Sequence, residues 1–162
     1  MRNIMLALAC LATMIACTRT TRNASPLTQS EKDSVVKEVQ HTLNEYYADI
    51  LKSGLLAEFK YLDNVPEFFW VPPGYSQPIS YDSIKAILTR SASRYKSIDN
   101  SFDTLLITPL SAEYAVYSCR LTSKMTNQSD STVIYSLAET GVVVKRSEGW
   151  KLLSGQTSLL TQ

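Results

Sequence analysis

The sequence predicts an α+β domain in which helices come first and a meander of strands follows. Three observations carry this. Apolar residues recur every three or four positions from about Gln29 to Ser53, the last third alternates with a period of two, and short turn signals rather than long crossovers separate the alternating runs.

The first helix opens at Thr28-Gln29-Ser30-Glu31, which has the form of a capping box, with Glu31 and Asp33 supplying negative charge to the first turn. Val36, Val39, Leu43, Tyr46, Tyr47, Ile50 and Leu51 form its apolar stripe, and Lys52 followed by Gly54 closes it. A shorter helical stretch, Leu55 to Leu62, stops at Asp63-Asn64. Glu67 to Val71 is aromatic and strand-like and ends in the turn Pro72-Pro73-Gly74. Ser80 has the chemistry of an N-cap for a helix starting at Tyr81, with Ile84, Ile87, Leu88 and Tyr95 on its inner face. Four strands are expected after it: Phe102 to Leu110, Glu113 to Met125, Thr132 to Arg146 and Trp150 to Leu160. Asn127-Gln128-Ser129-Asp130 and Ser147-Glu148-Gly149 join neighbours as tight turns, which makes the pairing antiparallel.

Ahead of this domain, Arg2 precedes about a dozen apolar residues, Ile4 to Ile15. That length suits the core of an export signal and falls short of the roughly 20 residues of a membrane-spanning helix. Met14-Ile15-Ala16-Cys17 resembles the lipobox of bacterial lipoproteins, with Met14 in place of the usual Leu. The resemblance implies cleavage before Cys17 and lipidation of its thiol. The alternative is an ordinary cleaved signal, or a short buried apolar helix, with Cys17 as a bystander. The expected organisation is a signal over 1–16, a lipidated Cys17 with a polar tether over 17–27, and a folded domain over 28–162. Thr18 stands where lipoproteins retained in the inner membrane resemble one another in carrying Asp, which favours the outer membrane, facing the periplasm.

With the signal removed, Cys119 has no disulfide partner and reads as a small core residue. His41 is the sole histidine and no Cys-x-x-Cys is present, so neither a metal site nor a cofactor is expected. Without Arg2, fifteen basic and fifteen acidic side chains balance and neither sign forms a run longer than two, which removes a nucleic-acid partner. The five glycines are too far apart for a phosphate loop or a dinucleotide fingerprint.

The order of elements from Gln29 to Leu160, with "YLDN", the Pro-Pro-Gly turn, "SYDSIKAIL" and the Gly149-Trp150-Lys151 turn before the last strand, resembles the nuclear transport factor two-like superfamily. That group includes ketosteroid isomerases, scytalone dehydratase, SnoaL-like cyclases and many bacterial domains of unassigned role. The resemblance implies a strongly curved sheet wrapped around the helices, a conical pocket, and an open sheet face that often forms a homodimer. Pocket residues implied by family position are Tyr47, Phe69, Trp70 and Tyr81 from the first half, with Tyr135, Trp150 and Gln156 from the late strands.

Catalysis would need a base and an oxyanion donor. Val71 stands where the resemblance places the aspartate base of the isomerases, whereas Tyr47 fits the position of their oxyanion tyrosine. Glu139 is the one carboxylate inside an otherwise apolar strand; buried, it would have a raised pKa, but the expectation is that it faces water or lies beside a bulge at Gly141. The sequence thus leans toward a tethered, non-catalytic domain that binds a small apolar ligand. The alternatives are an interaction module and a weak isomerase, cyclase or dehydratase using Glu139 or Asp63 with Tyr47.

Overall fold

The computed structural model describes residues 26–160. Helix α1 spans Gln29–Ser53, and the expected capping box is formed: the Thr28 backbone N–H donates to Glu31, whose own N–H donates to Thr28 Oγ1. Its C-terminus is satisfied at Gly54, where φ of +83° suits glycine and the N–H donates to the Ile50 carbonyl. The buried stripe is Val35, Val39, Leu43, Tyr46, Tyr47 and Ile50. It is offset from the expected stripe at both ends, because Val36 is only half-buried and Leu51 is exposed. A short 3₁₀ helix, Leu55–Lys60, turns the chain back toward the sheet.

Strand β1 is Phe69–Val71, α2 is Tyr81–Ser91, and four long strands follow: β2 (Tyr95–Pro109), β3 (Tyr114–Asn127), β4 (Thr132–Arg146) and β5 (Gly149–Leu159). Ser80 caps α2 as expected, accepting from the Ser83 N–H. Tyr95 belongs to β2 rather than to the inner face of α2. The sheet order is β1-β5-β4-β3-β2, antiparallel throughout the meander and parallel only where β1 meets β5. This is the α+β architecture expected, with the helices laid in the concave side of a curled sheet. Leu43 and Ile50 of α1 meet Tyr117, Leu121 and Leu152 of the sheet in one core. Each such side chain contributes about 1.5–3 kcal/mol on burial.

Strand β2 begins seven residues before the expected start. The segment Tyr95–Ser101 has a single fully buried apolar residue, Ile98, and irregular register beside Tyr95 and Phe102, so its alternation is weak. Strand β5 carries one extra residue: Val143 pairs with Leu152 and Val142 with Ser154, which leaves Leu153 without an opposite number. The bulge is therefore here and not at Gly141, which stays in regular register with Tyr117 and Gly155. Gly141 serves a different purpose, since a Cβ there would meet the Tyr117 ring at 2.7 Å.

Candidate functional site

The concave side of the sheet and the helices enclose a cavity of about 200 Å³. Its wall is mostly apolar, with Ile50, Ile84, Leu88, Leu121, Leu137 and Leu152 among the contributors. Polar groups enter it at a few defined places, the arrangement expected of a small-molecule site.

The first is Glu139. Against the expectation that it faces water, its side chain is buried at 8% exposure and lines the cavity. The reason lies in its neighbours. Oε1 accepts from the Tyr117 hydroxyl at 2.7 Å and the Tyr47 hydroxyl at 3.1 Å, while Oε2 accepts from the Thr157 hydroxyl at 2.8 Å. The Thr157 oxygen in turn accepts from Trp70 Nε1 at 3.0 Å. Sheet register produces this cluster. Inward-facing Cys119, Glu139 and Thr157 form one row across β3, β4 and β5, and Tyr117, Gly141, Gly155 and Trp70 form the next. The two glycines give the flanking rings room to lie over the sheet, because a Cβ on Gly155 would stand 2.6 Å from the Trp70 ring.

Burial pushes the Glu139 pKa up, and the bonds from Tyr117, Thr157 and Tyr47 oppose the rise. The phenol hydroxyls in this region keep their protons, since burial and the nearby carboxylates hold Tyr46, Tyr47 and Tyr117 well above the usual phenol range. The Cys119 thiol, beside Glu139 in the same row, is pushed up to about 12, first by burial and then by that carboxylate. It is a core thiol and not a nucleophile.

The second polar group is Glu58, which the sequence reading did not single out. It comes from the 3₁₀ helix, lines the cavity, and accepts from the Tyr46 hydroxyl at 2.9 Å. Burial pushes its pKa up to about 8, opposed by the Tyr46 bond and raised further by Glu139, so at neutral pH it is mainly the uncharged acid. Among the described residues, no lysine, arginine or histidine lines the cavity to draw that proton away. A signal for Glu58 did exist: Tyr46 and Tyr47 both lie on the buried stripe, and two buried hydroxyls require partners.

Of the expected pocket residues, Tyr47 and Trp70 are in place. Phe69 is not, being 45% exposed on the outer face, because its neighbours Phe68 and Trp70 take the inward positions. Tyr81 packs edge-on against Phe68 at 5.7 Å and supports the wall without forming it. Tyr135 lies along β4 from Leu137 and Glu139, is 37% exposed and does not reach the cavity. Trp150 is buried at the start of β5, where its Nε1 donates to Glu38 and Lys145 sits over its ring, away from the cavity. Gln156 points outward, since strict alternation from Trp150 would bring it inside but the bulge at Leu153 substitutes Thr157. Asp63 is held by Arg146, at 2.5 Å from Nη2, and lies outside the cavity. His41 is exposed beside Glu45, and among the described residues no three metal-ligating side chains converge.

Cys17 lies outside the described residues.

Comparison with known proteins agrees with this architecture. The SnoaL-like domain matches residues 39–162. No curated protein matches the chain. Among solved structures, a nuclear transport factor 2-like superfamily protein from Salmonella enterica serovar Typhimurium superposes with a TM-score of 0.67 at 16% identity, covering 80% of this chain and 94% of that one. A candidate scytalone dehydratase from Novosphingobium aromaticivorans gives 0.71 at 10% identity, over 83% and 89%. A conserved protein from Planctomyces limnophilus gives 0.63 at 15% identity, over 80% and 98%. At such identities these structures speak for the fold alone. The family match covers both the cavity's walls and its two carboxyls, and the chain belongs to the SnoaL-like domain family.

Proposed function

We propose that the domain binds one small, neutral, largely apolar molecule in this cavity and acts as a binding module. The observation that carries this is the wall itself, a mostly apolar lining in which both oxygens of Glu139 are already occupied by Tyr117, Tyr47 and Thr157. A carboxylate so engaged shapes a site more readily than it abstracts a proton. A dry cavity of about 150 Å³ accommodates benzene, so the 200 Å³ here suits one substituted ring or a chain of similar bulk. Native mass spectrometry of the protein purified from cells is expected to show a bound small molecule that Trp70→Ala removes. A bare wild-type mass, together with no change in tryptophan fluorescence on adding toluene, would sink this reading.

Glu58 favours a second reading, proton-transfer catalysis in the same cavity, because a carboxyl with a pKa of about 8 can both give and take a proton near neutral pH. The bound molecule should then acquire deuterium from heavy water in wild type and not in Glu58→Gln. Absence of exchange in both leaves binding alone.

The tether belongs to the proposal as well. The signal anatomy before Cys17 and the polar stretch after it fit a lipid-anchored envelope protein, held on the periplasmic side of the outer membrane, with helix α1 starting twelve residues beyond the anchor. Cys17→Ala should move the protein to the soluble fraction, and unchanged membrane association would exclude the anchor. A second copy of the chain is the partner that fits the outer face of the sheet, where Phe69, Val71, Val116, Val142 and Leu106 lie in two adjacent outward rows. The solution mass by light scattering reads this directly.

A further inference from the structure

Most of the cavity's polar side chains have partners. Tyr46 donates to Glu58, Tyr47, Tyr117 and Thr157 donate to Glu139, and Trp70 donates to Thr157. Two do not. Asn100 Oδ1 and Ser123 Oγ are buried and make no hydrogen bond among the described residues. Both side chains line the cavity, and Ser123 is fully buried. The two residues are also direct register partners on β2 and β3, so their orphaned oxygens come from facing positions on adjacent strands. The neighbouring inward pairs are apolar, Ile98 with Met125 on one side and Phe102 with Leu121 on the other. An unsatisfied buried polar atom costs about 1–3 kcal/mol, and native interiors keep few. Two such atoms side by side in a cavity wall are therefore better explained by a ligand than by packing.

We propose that Asn100 and Ser123 form a subsite for a hydroxyl group, and that the ligand is accordingly a neutral alcohol or phenol. The inference rests on the cavity being a binding site, as proposed above. A ligand O–H donates to the Asn100 amide oxygen while its own oxygen accepts from the Ser123 hydroxyl, and because serine can donate or accept, the pairing survives either orientation of the amide. Charge narrows the class further. Among the described residues the cavity is lined by two carboxyls and no basic side chain, so a carboxylate or phosphate would enter without a counter-charge. The ring of the ligand lies against Leu121 and the aliphatic wall, and the hydroxyl identifies which end faces β2 and β3.

The test uses two probes that differ only by the hydroxyl, toluene and p-cresol, titrated into wild type, Ser123→Ala and Asn100→Ala with binding followed by NMR. In wild type both bind, and in each variant the preference for p-cresol over toluene falls about tenfold, the value of one good hydrogen bond, while toluene affinity holds. Asn100→Ala carries the result should Ser123→Ala not fold. An unchanged ratio of the two affinities in either folded variant overturns the hydroxyl subsite while leaving the cavity reading intact. Failure of wild type to bind either probe overturns both.

Discussion

Between pH 5 and pH 8 the wild-type domain should lose stability steadily as pH rises, and Glu58→Gln should remove part of the slope. Folded Glu58 keeps its proton up to about pH 8, whereas in the unfolded chain the carboxyl releases it near its ordinary value of 4.5. Folding therefore takes up a proton in this window. The stabilisation is fully present below pH 4.5 and is lost as pH rises through the folded value, at up to about 1.4 kcal/mol per pH unit for each such group. Glu139 is shifted in the same direction, so the double variant Glu58→Gln/Glu139→Gln should be flatter still. Glu38 and Asp49 work the other way. Their folded values are lowered, first by the bond from Lys145 for Glu38 and by the bond from Tyr61 for Asp49, so their contribution is lost as pH falls below the ordinary carboxylate range. Maximum stability is thus expected near pH 4.5–5, below the usual optimum. Thermal unfolding across the range measures it, and a flat wild-type profile from pH 5 to 8 would remove the neutral cavity acid from the account.

Gly155→Ala should destabilise the domain by roughly 2–4 kcal/mol, combining the usual cost of overpacking with the loss of one hydrogen bond. The added Cβ would overlap the Thr140 carbonyl oxygen and stand 2.6 Å from Trp70 Cη2. The carbonyl is fixed in the β4–β5 ladder. The ring can yield by withdrawing Nε1 from Thr157, the residue whose hydroxyl serves Glu139. For a domain of this size the melting temperature should fall by on the order of 10 °C. Ligand affinity should fall with it. In the Trp70→Ala background the same substitution should cost less, because only the carbonyl overlap remains; equal costs in both backgrounds would show that the ring and the glycine are not coupled.

The parts of this fold that were legible in the sequence are those with a local cause. The capping box at Thr28, the glycine stop at Gly54, the cap at Ser80 and the alternation of the last three strands are each written within a few residues of where they act. The site was legible only where it overlapped such patterns, at Tyr47 and Trp70. Glu139 was misjudged because its donors come from positions 92, 22 and 18 residues away in sequence, and no local spacing announces that a strand carboxylate will meet three hydroxyls. Glu58 was overlooked for a similar reason, sitting among apolar neighbours in a short helix with its partner on another element. Phe69 and Gln156 failed differently: each was a choice between two faces, and a face is decided by register rather than by side-chain type.

That last point gives Leu153 a weight out of proportion to its contacts. Being unpaired, it sets the reading frame of the strand after it, so that Gly155 and Thr157, not Ser154 and Gln156, look inward. Were the strand to straighten while keeping its length, Ser154 and Gln156 would turn inward and Gly155 and Thr157 outward, whereas removing residue 153 itself would leave the later pairings as they are. Two relatives of equal length that differ only in whether this strand bulges would therefore present different side chains to the same ligand.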